Sequence, residues 1–246
     1  VASIVDSGTS SHPWPPCGPL EEISFMSAAF TLPGFRGIAR VALAFAAVLA
    51  MAGPASAQYA EGKEFLRFKQ PIPVETGKKI EVIEFFSYGC PHCADLEPHL
   101  AAWHKRLPPD VQFRRVPVAF QPAWENLGKV YYTLDTLGEE ARLSPEVFAA
   151  IHGGARVNLA QEQRFLDWAA SKGLDRKKVE DTYKSFGIAG KIGRAKQTAQ
   201  TYNIQSVPTL IVDGKFMVSS GTAGTHERVP GALDAAIAVA RAERPK

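Results

Sequence analysis

Ile80-Glu81-Val82-Ile83-Glu84-Phe85-Phe86, then Ser87-Tyr88-Gly89, then Cys90-Pro91-His92-Cys93, is the stretch that decides the fold. The first seven residues are β-branched or aromatic apart from two acids, and they predict a buried strand. Ser87-Tyr88-Gly89 reads as a turn. Proline suits the first helical position, where a missing N–H costs nothing, so a helix is expected from about Cys90 or Pro91. Leu96, Leu100, Trp103 and Leu107 recur at helical spacing and mark its buried stripe. Pro98 predicts a kink inside it, and Pro108-Pro109-Asp110 ends it.

Downstream, Val111 to Phe120 reads as a second strand, constrained near its end by Pro117. From Gln121 the period turns helical. Candidate helices run from Ala123 to Gly138, from an N-cap at Ser144-Pro145-Glu146, from Gln161 to Lys172, from Asp175 to near Gly187, and from beyond Gly190 to Tyr202. Strand character returns at Thr209-Leu210-Ile211-Val212 and Lys215-Phe216-Met217-Val218, and the intervening Asp213-Gly214 signals a hairpin. An Ala-rich helix from about Pro230 to Ala242 closes the chain. Upstream, residues 58–79 read as an irregular lead-in. The order is β-α-β, a helical block, then α-ββ-α. That pattern predicts an α/β fold: one mixed sheet flanked by helices, built from 58–120 and 189–246, with a helical domain inserted at 121–188.

The N-terminal region reads differently. Val41 to Ala52 is a short apolar run, preceded by Arg36 and Arg40 and followed by Ala55-Ser56-Ala57. A basic flank, an apolar core and a small-x-small exit make a secretory signal peptide over 26–57, cleaved after Ala57. Residues 1–25 are Ser/Pro-rich and aperiodic, and read as a disordered leader ahead of a true start at Met26. Cleavage discards Cys17 and leaves Cys90 and Cys93 as the only cysteines. An exported chain with one such pair belongs in an oxidising compartment. The net charge of +3, with no Lys/Arg-rich run, excludes a nucleic-acid partner as the reading of choice.

Two thiols at this spacing can close a small disulfide ring at a helix start. Cys90 there meets unpaired backbone N–H groups and the helix dipole, and His92 adds a donor or a positive charge, so its thiolate is favoured. Stabilising the thiolate stabilises the reduced pair and makes the disulfide oxidising. Cys93, one turn in, is the expected resolving thiol. A c-type haem site would need His after the second cysteine, but Ala94 stands there. Structural zinc would need a second ligand pair, and no metal site is expected in the chain. A purely structural disulfide over so short a loop would stabilise little. Glu84, an acid inside an apolar strand, is a candidate proton acceptor near Cys93 if buried, whereas Glu81 reads as water-facing. Trp103 and Trp124 read as core or groove residues.

These residues resemble the DsbA family of periplasmic thiol–disulfide oxidoreductases, thioredoxin-fold proteins with an inserted helical domain. Glu84-Phe85-Phe86-Ser87 with Cys90-Pro91-His92-Cys93 is similar to that family's strand and active site, Ala57-Gln58-Tyr59 with Glu61-Gly62-Lys63 to its mature start, and Ser206-Val207-Pro208-Thr209 to its cis-proline loop. The resemblance implies a cis Pro208 facing the disulfide, and a Val207 backbone able to pair with an extended substrate peptide. It also implies a monomeric oxidase of newly exported, unfolded proteins, re-oxidised by a DsbB-like quinone-linked membrane protein and using no cofactor. Gly89 stands where the family often has bulkier residues. The competing readings are a reductase or isomerase on the same fold, a peptide-binding chaperone with an incidental disulfide, and a transferase working through a single thiolate.

Overall fold

The computed structural model describes residues 59–244. The leader, the signal peptide, its cleavage site and Cys17 lie outside the described residues. Five strands form one mixed sheet: β1 (Leu66–Arg67), β2 (Ile80–Phe86), β3 (Val111–Pro117), β4 (Thr209–Val212) and β5 (Phe216–Val218), in the order β1-β5-β4-β2-β3. The helices are α1 (Pro91–His104), α2 (Pro122–Leu137), α3 (Glu140–His152), α4 (Glu162–Ser171), α5 (Arg176–Tyr183), α6 (Phe186–Thr201), α7 (Ser220–Ala223) and α8 (Val229–Glu243). None of the described helices is long and apolar enough to cross a membrane.

β2 is central and buried along its whole length. It pairs parallel with β3, reached through α1, and antiparallel with β4. Alternation along β2 separates two cores. Ile80 and Val82 face a layer built with Leu96, Leu100 and Trp103 of α1 and with Val229, Leu233 and Ala236 of α8. Ile83 and Phe85 face Ala195 of α6 together with Tyr202 and Ile204. The helices between β3 and β4 carry a further core, in which Leu127, Val130, Phe148 and Phe165 join Phe86, Tyr88, Cys90 and Cys93. The inserted helices therefore pack directly on the cysteine turn. The sheet, its flanking helices and this helical insertion make a thioredoxin-like fold.

Several local expectations need correction. Residues 58–79 are not wholly irregular, because Leu66 and Arg67 form β1 and pair with Met217 and Phe216 of β5. The second strand ends at Pro117, short of Phe120, with the Val118 N–H donating to the Phe86 carbonyl at 2.8 Å as the last bond to β2. Ser144 is not an N-cap. α3 already starts at Glu140, with Pro145 inside it, and Ser144 is buried where its hydroxyl meets Tyr88 and Arg115. The helix from Asp175 ends at Tyr183, and the next begins at Phe186 rather than beyond Gly190. The Ser185 hydroxyl accepts from the Ile188 N–H and caps that start, so Gly187 and Gly190 fall inside the helix. Glu81 is not water-facing: it is buried and paired with Arg114, whose Nε lies 3.1 Å away.

The β4–β5 turn is closed by the Lys215 N–H donating to the Val212 carbonyl at 2.9 Å, with positive φ at both Asp213 and Gly214. That backbone suits a hairpin and favours glycine. A Cβ on Gly214 would also sit 1.9 Å from the Ile72 carbonyl oxygen. Gly214→Ala is expected to destabilise the protein by about 1–3 kcal/mol through backbone strain, with the clash adding to it, read as a lower urea midpoint.

Candidate active site

Cys90 is the N-cap of α1, in extended backbone conformation (φ −95°, ψ 116°), with Pro91 at the first helical position. Its own N–H donates to the Ser87 carbonyl at 3.0 Å, which holds the turn, and the Gly89 N–H donates to the Ser87 hydroxyl at 3.1 Å. Gly89 leaves room for the Trp124 ring: a Cβ here would lie 2.6 Å from Trp124 Nε1, and one of the two would have to shift. Cys90 and Cys93 are free thiols. Cys90 retains 6% of its surface, whereas Cys93 has none.

The two sulfurs are electrostatically unlike. The Cys93 thiol hydrogen-bonds to Cys90 and brings it down to about 6; burial opposes this, and the N–H groups of Cys93 and His92 and the charge of the His92 ring assist it. Cys93 is pushed far up, first by burial and then by the neighbouring Cys90 and the charge of Glu84. One sulfur is thus the anion and nucleophile at neutral pH, and the other keeps its proton. Because folding depresses the Cys90 value, its stabilising contribution is present above the ordinary thiol value of 9.0 and is lost as pH falls through about 6. The reduced protein should therefore gain stability over its Cys90→Ser variant as pH rises across that window, measured by thermal unfolding at stepped pH. Alkylation of Cys90 should follow a titration with its midpoint near 6.

The Val207–Pro208 peptide is cis, and the Val207 carbonyl accepts from the Cys90 thiol at 3.5 Å. Pro208 is buried, while Val207 is half-buried and leaves part of its backbone beside Cys90. The sequence-predicted residues Cys90, Pro91, His92, Cys93, Val207 and Pro208 therefore come together at one end of the sheet. His92 is exposed, 3.9 Å from Asp95 and stacked on His226.

Glu84 lies beneath, on the α1 side of β2. Burial pushes its carboxyl up to about 7 against the pull of Arg115. Sequence reasoning passed over Arg115 altogether, although it is the hub of this layer. Its Nε lies 2.8 Å from Glu84, not aligned as a hydrogen bond. Its other nitrogens donate to Glu97 at 2.5 Å, to Glu140 at 3.0 Å and to the Ser144 hydroxyl at 3.1 Å. Burial works against its charge, but the carboxylates of Glu84, Glu97 and Glu140 outweigh it and hold Arg115 firmly protonated. The only sequence signal was a charge in a strand otherwise alternating toward the core. Tyr88 ties the cysteine turn to the inserted helices as well, through its hydroxyl to Ser144 at 2.8 Å and its carbonyl to His152 Nε2 at 2.7 Å.

A thioredoxin-like sheet presenting a helix-capping cysteine, a buried partner three residues on and a cis-proline loop across from them defines a thiol–disulfide oxidoreductase. The family model described as the DSBA-like thioredoxin domain matches residues 81–227. The chain belongs to the DsbA family. It is 39% identical over 204 residues to the thiol:disulfide interchange protein DsbA of Pseudomonas aeruginosa, covering 83% of this chain and 96% of that protein. It is 39% identical over 192 residues to DsbA of Burkholderia cepacia, covering 78% and 88%. Among solved structures, DsbA of P. aeruginosa superposes with a TM-score of 0.70 at 40% identity, over 75% of this chain and 95% of that one. DsbA from Xylella fastidiosa superposes with 0.67 at 28% identity, over 74% and 97%.

Proposed function

We propose that this chain is an exported disulfide oxidase, which donates the Cys90–Cys93 disulfide to newly translocated, unfolded proteins. The observation that carries this reading is the contrast between the two sulfurs: a partly accessible Cys90 that favours the anion, and a sealed Cys93 that favours the thiol. A substrate thiolate attacks Cys90 Sγ, and Cys93 leaves and takes a proton. A second substrate thiolate then attacks the substrate sulfur of the mixed disulfide and Cys90 leaves as the thiolate. The substrate loses two electrons and gains a disulfide, while the Cys90–Cys93 pair holds the two electrons. Cys90 is a good leaving group in that last step because its anion is stabilised.

The other roles follow from position. Glu84, near 7, is poised to pass a proton to Cys93 on reduction and to take it back on re-oxidation. His92 and the N–H groups behind Pro91 hold the Cys90 anion. The Val207 backbone beside cis Pro208 receives the substrate as an added extended strand. A DsbB-like quinone-linked membrane protein removes the electrons, and the work is done in the periplasm after cleavage of the 26–57 signal peptide at Ala57. Residues 58–120 and 189–246 form the thioredoxin-like part around an insert at 121–188, and residues 1–25 precede the signal.

Redox titration of the protein against glutathione tests the direction of electron flow. The expected result is a pair more oxidising than the glutathione pool. A potential close to thioredoxin's, roughly −270 mV, would overturn the oxidase reading in favour of a reductase.

A further inference from the structure

The loop between α7 and α8 brings His226 over the first turn of α1, where its ring stacks on that of His92 with centroids 5.9 Å apart and planes 20° apart. Asp95, three residues along α1 from His92, lies on the same face, 3.9 Å from the His92 Nδ1. One potential ligand atom from each of His92, Asp95 and His226 falls within 4.8 Å of the others. His226 is half-buried, and its Nε2 is sealed from solvent with no hydrogen-bond partner, an uncommon state for a buried polar atom. The loop has ties to α1 on its C-terminal side. α8 is anchored on α1 by Trp103 Nε1 donating to Asp234 at 2.7 Å, and the neighbouring Glu227 lies 3.7 Å from His99 Nε2.

We propose that His92, Asp95 and His226 form a binding site for a borderline divalent transition metal, of which Zn²⁺ is the representative. Two imidazoles and one carboxylate are a ligand set for zinc and its neighbours rather than for Mg²⁺ or Ca²⁺, which take oxygen donors. Tetrahedral zinc, with ligands at about 2.0–2.1 Å, needs donor atoms roughly 3.3 Å apart. The side chains of His92 and Asp95 are 73% and 66% exposed, so both can rotate toward a cation at His226. Three protein ligands leave one position for water, as in open zinc sites. The site does not depend on the direction in which the cysteines move electrons.

The test is calorimetric titration of Zn²⁺ into the protein as isolated, free of any affinity tag, with Cys90 and Cys93 joined as the disulfide so that neither offers a thiolate. The expected result is one Zn²⁺ per chain, binding at least tenfold weaker in His226→Gln and in Asp95→Asn, and no comparable binding of Mg²⁺. Asp95 is exposed, so its variant keeps the fold, and unchanged thermal unfolding checks this for both. Absence of one-to-one binding, equal affinity in either variant, or equal affinity for Mg²⁺ would each overturn the proposal.

Discussion

Cys93→Ala, offered a peptide disulfide, is expected to accumulate long-lived mixed disulfides as its Cys90 thiolate attacks and one peptide half leaves as thiolate, visible on non-reducing gels and released by reductant, while Cys90→Ala accumulates none. Both variants should lose oxidation of a dithiol peptide by on the order of a thousandfold or more, since removing one member of a unit that acts together forfeits nearly the whole effect. The asymmetry follows from position. Cys90 caps α1, keeps some surface and favours the anion, so it can enter exchange alone. Cys93 is sealed and held as the thiol, so it does not enter exchange alone; it gives up its proton as it attacks Cys90 Sγ of the adduct, and the peptide leaves as the thiol. Without Cys93 nothing within the chain cuts the Cys90 adduct. Equal trapping by both variants would show that the two sulfurs are interchangeable, and would remove the basis of the mechanism.

Arg115→Met should cost about 3–5 kcal/mol of stability at neutral pH, measured by urea unfolding of the reduced protein. Arg115 stands among Glu84, Glu97 and Glu140, all within ion-pair distance, and its side chain and those of Glu84 and Glu97 are almost wholly out of water. Removing the cation leaves three acids facing one another, with nothing to offset their desolvation. A second substitution, Glu84→Gln, should restore part of the loss by deleting the most deeply buried of these carboxyls, and Arg115→Lys should lose less because it keeps the charge. A methionine variant as stable as the parent would mean that the acids simply take up protons at little cost.

The two expected effects differ in how far the sequence announced them. Cys90-Pro91-His92-Cys93 was legible because its chemistry is local: a proline at the first helical position, a cysteine one residue before it and a second cysteine one turn on. The strand before it and the Asp213-Gly214 hairpin were legible for the same reason, as apolar runs meeting a strong turn signal. β1 was not, because two residues carry no periodicity of their own and become a strand only by pairing with β5, some 150 residues on. Ser144-Pro145 misled because a local capping signal competed with a helix already begun at Glu140, where Ser144 gains buried partners in Tyr88 and Arg115.

By itself, then, the amino-acid order determined the element sequence near the cysteines, the redox pair and the leaning of Cys90 toward the anion, because backbone N–H groups at a helix start and a histidine two residues away act over a few ångströms of the same chain. Only the tertiary structure decided that Arg115 joins three acids under the site, that Glu81 is buried, that the Val207 carbonyl faces Cys90, and that His226 comes to rest on His92. Each of these depends on side chains far apart in sequence sharing one low-dielectric or one crowded place. The burial of these charged side chains and their long-range pairing are properties of the packed sheet and helices, and the local apolar pattern that marked the core does not encode them.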